Sequence, residues 1–230
     1  MSDIPGTTRD ATDTIIRHDD KEFLFIDTAG LKRQAKTDEG IESFAMLRTI
    51  QALEACDVAL LLIDGTQPIS KQDKRIAGMV VEAGKGIILL VNKMDLLKSE
   101  ARKEKMDEIK LEFPFCRYAP VIPCSTVTRD GLLKIFPLIE MIERNRTRRI
   151  PVKDLRRWYE DSVDSQPMSA LQSAKHLTQA EDIPPTFVLF VRDPKGVQLS
   201  MLRYLDNRLR ETFGFEGTPV RWVTKKTGRG

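Results

Sequence analysis

The stretch Gly86-Ile87-Ile88-Leu89-Leu90-Val91-Asn92-Lys93-Met94-Asp95 decides the fold. Its first half is an unbroken apolar run with no alternation, the pattern of a strand buried on both faces. Its second half turns polar within one residue. A polar group at the carboxyl end of such a strand is where open α/β sheets place their ligands. Upstream, Val58 to Ile63 is a second continuous apolar run. Helical spacing predicts a helix over about 70–83 between the two, and a charged helix follows at about 100–112. A third strand is expected near Ala119 to Pro123, and a helix from Leu132 to about Arg144. This alternation implies a parallel sheet with crossover helices. Before it, Thr12 to Arg17 and Glu22 to Ile26 flank His18-Asp19-Asp20-Lys21 as an antiparallel hairpin. Ile41 to Ala55 has helical spacing.

The remainder of the 230 residues is different in kind. Residues 1–146 hold 22 basic and 24 acidic side chains, and residues 147–230 hold 15 and 10. The overall +3 therefore divides into −2 and +5. Arg144, Arg146, Arg148 and Arg149 mark the change, followed by Ile150-Pro151, which places a domain boundary at 147. Beyond it we expect a helix at about 153–164 and a weak strand at about 171–178. A strand at Thr186–Arg192, a helix at about 197–212 and a strand at Pro219–Thr224 complete a small α+β domain. The apolar runs are far shorter than the ~20 residues of a spanning helix, which excludes a membrane-spanning protein. No signal peptide opens the chain. Cys56, Cys116 and Cys124 have neither metal-ligand nor redox spacing and are expected as reduced thiols in the cytoplasm. His18 and His176 are far apart, which argues against a metal site or a triad.

Two strand ends carry chemistry. Phe23 to Ile26 leads into Asp27-Thr28-Ala29-Gly30. An Asp at such a strand end can hold hydrated Mg²⁺ through a water, and a Gly three residues on lets its N–H approach a terminal phosphate. In Asn92-Lys93-Met94-Asp95, the Asp95 carboxylate can accept from N1–H and the 2-amino group of guanine together. Adenine lacks that donor pair. The Lys93 stem can lie along the base, and Asn92 can tie neighbouring loops. The polar loop Pro5-Gly6-Thr7-Thr8-Arg9-Asp10 can supply a Thr hydroxyl to Mg²⁺, and a backbone N–H at Ser125-Thr126 can meet the guanine oxygen.

With these motifs in order, the sequence resembles the Der (EngA) family, bacterial tandem-G-domain GTPases of ribosome assembly. The match is to their second G domain and the KH-like C-terminal domain. Ser2 to Asp10, Asp27 to Gly30, Asn92 to Asp95 and Ser125 carry it in the first part. Arg149-Ile150-Pro151, Pro184 to Val191 and Phe213 to Pro219 carry it in the second. The resemblance implies an α/β fold, a P-loop-NTPase-like G domain over 1–147 with helices on both faces of its sheet. A small α+β KH-like domain over 148–230 follows. It also implies GTP/GDP and Mg²⁺ as cofactors, and the large ribosomal subunit with its rRNA as partner, together with an upstream G domain of the complete protein. By the same resemblance Asp27, Thr28, Ala29 and Gly30 contact phosphate. Asn92, Lys93, Met94, Asp95, Ser125 and Thr126 read guanine. Gly6, Thr7, Thr8 and Leu31 belong to the switches, and Thr8 (or its neighbour Thr7) and Asp27 serve Mg²⁺. Leu31 is apolar where many small GTPases carry a Gln that orients water.

No Gly-x-x-x-x-Gly-Lys-Ser/Thr occurs in the chain. That loop supplies the N–H cradle and Lys for the β- and γ-phosphates. The chain therefore reads as a fragment with a truncated parallel sheet, missing a central strand, and inactive as a GTPase by itself. A non-catalytic RNA- or ribosome-binding module is the alternative. Gly214-Phe215-Glu216-Gly217 has the letters of a KH clamp but follows a long helix, and is expected to be a turn and helix stop. Arg203, Arg208 and Arg210 read either as a solvated face or as a phosphate-contacting one, and Trp158 and Trp222 as packing residues.

Overall fold

The computed structural model describes residues 13–26 and 50–227, apart from the side chain of Asp182. The chain forms two compact units, residues 1–57 and 58–230. In the first, strands β1 (Asp13–His18) and β2 (Lys21–Ile26) pair antiparallel, from Asp13 opposite Ile26 to His18 opposite Lys21. The turn is only Asp19-Asp20, with φ of 47° and 58°. Asp tolerates this left-handed region better than most residues, and two such residues make a twist-matched hairpin turn. The opposed Arg17 and Glu22 form an ion pair at 2.7 Å. Residues 50–55 are helical. The rest of the helix expected from Ile41 lies outside the described residues.

The second unit begins with a parallel sheet. Its strands β3 (Val58–Asp64), β4 (Gly86–Asn92) and β5 (Val121–Pro123) lie in the order β3-β4-β5. Helices α1 (Lys71–Glu82), α2 (Ser99–Glu112) and α3 (Ile135–Arg146) make the connections and the layer after β5. All seven residues of β4 are buried, which is why its sequence shows no alternation. Ile88, Leu90, Ile122, Ile135 and Ile142 form one core. β3 is not buried on both faces as its continuous apolar run implies: Leu61 and Ile63 are buried, whereas Leu62 is 54% exposed. Ser70 caps α1 in a reciprocal box with Asp73. Buried Lys105 on α2 donates to the Gln67 carbonyl at 2.7 Å and pairs with Glu108 at 2.5 Å. This pins α2 to the loop after β3 and satisfies the buried ammonium. The pairing with Lys105 also holds the Glu108 carboxyl below its ordinary range.

The last part of the same unit contains α4 (Val152–Ser165), the short helix α5 (Ser169–Gln172), β6 (His176–Asp182), β7 (Pro185–Val191), α6 (Leu199–Phe213) and β8 (Arg221–Lys226). The sheet order is β6-β7-β8, with β6 antiparallel and β8 parallel to β7. Leu155, Trp158, Leu171, Phe187, Leu189, Leu205, Leu209 and Phe215 fill its core. The weak strand expected at 171–178 is corrected at its start. Residues 169–172 are helical, and fully buried Leu171 plugs the core while its carbonyl accepts from Tyr159 Oη at 2.8 Å. Helix-favouring Ala170, Leu171 and Gln172 suit that turn, and β6 begins only at His176.

The basic linker is strapped down. Gln179 of β6 accepts from Ile150 N at 3.0 Å and donates to the Arg148 carbonyl at 2.7 Å. Arg149 in turn donates to the Gln179 carbonyl. The Gly214–Gly217 segment is a helix stop, and it is also a plug. Gly217 N donates to Tyr118 O at 2.7 Å, Ile87 N donates to Gly217 O at 2.9 Å, and Asn145 Nδ2 donates to Glu216 O at 2.9 Å. Gly217 has φ of 72°, and a Cβ there would collide with Ile142. Arg210 stacks its guanidinium 4.1 Å from the Tyr118 ring centre and donates to the Phe215 and Thr218 carbonyls. Arg221 reaches the Glu82 carbonyl at 2.8 Å. These contacts seat the small domain on the amino-terminal end of the parallel sheet, leaving the carboxyl end to the candidate site.

Candidate functional site

The register aligns three strand ends. Asp64 lies opposite Asn92, and Val91 opposite Pro123. The loops beyond them are then laced together through the backbone. Gly65 N donates to Asn92 O at 2.8 Å, Cys124 N to Val91 O at 2.8 Å, and Met94 N to Cys124 O at 3.2 Å. A side chain on Gly65 would come within 2.8 Å of that Asn92 oxygen.

Asn92 is the keystone of the polar network. It is buried to 9% exposure and exchanges two hydrogen bonds with Thr126. Thr126 N donates to Asn92 Oδ1 at 3.0 Å, and Asn92 Nδ2 donates to Thr126 Oγ1 at 3.3 Å. Ser125, at 2% exposure, accepts from Thr128 N at 3.1 Å through its hydroxyl, and its own N–H donates to the Asp130 carbonyl. Gly131, with φ of 75°, lets this loop close over Pro123, where a Cβ would strike the Pro123 carbonyl. The 124–131 loop is therefore fixed at both ends.

Lys93 adopts a left-handed φ of 63° at the start of a single tight turn, Met94–Leu96. Met94 is buried and anchors that turn, while Asp95 is exposed. The Lys93 ammonium lies 2.6 Å from Asp64 Oδ2. Asp64 also accepts from the Thr66 N–H at 2.9 Å and its hydroxyl at 2.7 Å. The bond from Lys93 and those from Thr66 hold the Asp64 carboxyl down at about 2. A cleft of about 430 Å³ opens beside the turn, with Asp95, Ser125 and Asp130 facing Arg102, Lys103 and Lys134 around it. An exposed carboxylate on a rigid turn can accept the paired N–H groups of a guanine edge, while the Ser125 and Thr126 N–H groups beside it are engaged by the Asp130 carbonyl and Asn92 Oδ1.

The structure thus brings Asn92, Lys93, Met94, Asp95, Ser125 and Thr126 to one end of the sheet. Asp27, Thr28, Ala29, Gly30, Gly6, Thr7, Thr8 and Leu31 lie outside the described residues. Two participants escape the motif reading, Asp64 with Thr66, and Asp130 with Gly131. Both are Asp-containing turns just past a strand or loop, and Asp64-Gly65 is an ordinary turn signal that does not announce its partner. Among the described residues, no group of three or more His, Cys, Asp or Glu could hold a metal ion. Among them too, no helix is long and apolar enough to cross a membrane.

Comparison with known proteins follows the same division. Residues 1–93 match the family described as 50S ribosome-binding GTPase. Residues 149–225 match the KH-domain-like region of EngA bacterial GTPase enzymes, C-terminal. GTPase Der of Natranaerobius thermophilus is 42% identical over 96% of this chain and 52% of that protein. GTPase Der of Alkaliphilus metalliredigens is 41% identical over 100% of this chain and 54% of that protein. The chain spans about half the length of the curated relatives it matches. The crystal structure of Era in complex with MgGDPNP and nucleotides 1506–1542 of 16S ribosomal RNA is 19% identical. It covers 99% of this chain and 84% of that chain with a TM-score of 0.47, too loose a likeness to bear on function.

Proposed function

The chain belongs to the Der (EngA) family of bacterial GTPases, with a G-domain fold followed by a KH-like domain, and from that premise we propose that it is the guanine-reading and ribosome-docking part of a GTP-dependent switch. Its site is the laced end of the parallel sheet. Asp95 accepts the N1–H and 2-amino donors of guanine. Asn92 holds the Ser125-Thr126 loop, whose Thr126 N–H exchanges its bond to Asn92 Oδ1 for the guanine oxygen when the base binds, and the Lys93 stem covers the base. By the family resemblance, Asp27, Thr28, Ala29 and Gly30 are assigned to phosphate contact, Gly6, Thr7, Thr8 and Leu31 to the switches, and Thr8 (or Thr7) and Asp27 to Mg²⁺. Bound Mg²⁺ would neutralise charge on the β- and γ-phosphates. We place the domain boundary at 147/148. The switch acts in the cytoplasm, together with an upstream G domain, on the large ribosomal subunit and its rRNA.

The observation that carries this reading is the double hydrogen bond between Asn92 and Thr126, which joins the two guanine-reading loops. The 230 residues contain no Gly-x-x-x-x-Gly-Lys-Ser/Thr. Most phosphate recognition is therefore missing from this chain, and by itself it binds GTP weakly and does not turn it over. Titration with fluorescent GDP and ATP analogues tests the first point, a weak guanine preference that Asp95→Ala removes being the expected result. Equal affinity for the adenine analogue would sink it. Steady GTP hydrolysis by the purified chain would sink the second.

A further inference from the structure

The sheet of the KH-like domain has two faces of different character. One, with Leu177, Phe187, Leu189 and Val191, is buried under helices α4 and α6. On the other, pairing sets side chains in rows across three strands. His176, Phe190 and Lys225 share one row, and Thr178, Val188 and Val223 the next. The third row, Glu181, Thr186 and Arg221, ends against the parallel-sheet part of the unit, where Arg221 meets the Glu82 carbonyl and Pro184 abuts Gly84.

The open end of this face is aromatic and basic. The His176 and Phe190 rings stack, with centres 4.1 Å apart and planes 20° from parallel. His176 and Lys225 are exposed, Phe190 is half-buried, and Val223 is 37% exposed. No carboxylate stands in the first two rows. Arg192 follows directly after β7, and residues 147–230 carry the +5 excess; Lys226 pairs with Val191 and belongs to the other face. Meanwhile the Gly214–Gly217 segment cannot clamp a nucleic-acid backbone. Its Gly217 N–H and the Glu216 and Gly217 carbonyls are spent on Tyr118, Asn145 and Ile87, and Phe215 is fully buried.

We infer that the open end of this sheet face, formed by His176, Phe190, Val223 and Lys225, is a stacking platform for bases of single-stranded RNA. A ring pair with one exposed and one half-buried member offers a π-face to bases of any sequence, and the neighbouring Lys225 and Arg192 suit the phosphates between them. A peptide partner would need acidic or apolar side chains to match the same patch. The charge excess and the paired rings favour RNA. The inference names a surface for the ribosomal reading above and rests on it for the RNA's origin.

The test uses the full 230-residue chain and a fluorescein-labelled, unstructured RNA of about 12 nucleotides, within the site size of such platforms. A duplex of the same length serves as control. Anisotropy should show binding to the single strand and weaker binding to the duplex. Phe190→Leu, which removes the ring and keeps apolar volume, should weaken binding about ten-fold. His176→Ala, at an exposed position, should weaken it about three-fold, keeping the test independent of whether the Phe190 variant folds. Lys225→Gln should lower the salt slope by about 0.7. Arg203→Gln on α6 should change little. Unaltered affinity in both ring variants, a preference for duplex, or a larger loss from Arg203→Gln would overturn the platform. If the wild-type chain still co-sediments with large ribosomal subunits in that case, the ribosomal reading stands. Ring-dependent oligonucleotide binding without co-sedimentation would instead spare the platform and sink that reading.

Discussion

The two ends of the parallel sheet are built on different principles. At its amino end, buried backbone meets buried backbone. Gly217 is inserted between Ile87 and Tyr118, with Ile142 leaving no room for a side chain. At its carboxyl end, short polar side chains span gaps between loops, and the charged groups Lys93 and Asp95 are exposed. The first arrangement is rigid and expensive to alter. The second fixes its loops with a few hydrogen bonds and leaves a carboxylate free to meet a ligand. Stability is therefore concentrated at one end and the proposed recognition at the other.

Substitutions can break this contrast. The largest effect is expected from Gly217→Ala. It forces a non-glycine residue into a left-handed φ and drives a methyl into Ile142, together about 3 kcal/mol. Urea unfolding should show the unfolding free energy falling by that amount through a lower midpoint, and an unchanged midpoint would mean that the plug is not seated as described. Arg210→Ala removes the guanidinium from the Tyr118 ring and from two carbonyls, at about 2 kcal/mol, with partial recovery in Arg210→Lys. Neither change should alter the ratio of guanine to adenine affinity.

At the other end the order reverses. Asn92→Ala should cost only about 1 kcal/mol of stability, because Thr126 N–H can find water, yet it should abolish guanine preference. Should unfolding show a loss as large as that of Gly217→Ala, the contrast between the ends would fail. The smallest effect is pH-dependent. The folded Asp64 carboxyl sits at about 2, below the ~3.9 of an unfolded Asp. Its contribution is therefore complete above about 4 and is lost as pH falls toward 2. The melting-temperature difference between the wild-type chain and Asp64→Asn should be constant from about pH 7 to 5 and shrink below 4. A difference that grows on acidification would contradict the Lys93–Asp64 pair.

What could be read from the sequence follows the range of the forces involved. Ile87–Val91 announces a buried strand because burial on both faces writes itself into consecutive residues, whereas the similar run Val58–Ile63 forms a strand that leaves Leu62 open. Helical spacing announces α1 near residue 70, and the Ser70–Asp73 box that caps it is equally local. Asn92 through Asp95 and Ser125-Thr126 are recognisable because hydrogen-bonding chemistry at strand ends restricts residue type. The unforeseen features depend on partners distant in the chain. Lys105 looks like one more surface charge until Gln67 and Glu108 close around it. Gln179 looks like a polar strand residue until the 148–150 linker folds onto it. Gly214–Gly217 reads as a helix stop, and nothing local discloses that Tyr118 and Ile87 await it. The misplaced start of β6 has the same origin, since Leu171 is drawn into the core by packing rather than by strand pairing.

Strand β4 touches both ends at once. Its second residue, Ile87, donates to Gly217, and its last, Asn92, accepts from Gly65. The two functions are thus threaded on one seven-residue ruler. Inserting or deleting a single residue between Ile88 and Val91 would slip the pairing by one place and invert every side chain beyond it. The domain seat and the proposed nucleotide loops would then be in register with the sheet one at a time, never together. The length of this strand is therefore under a tighter constraint than its composition, and swaps among Ile, Leu and Val should be tolerated where a one-residue indel is not.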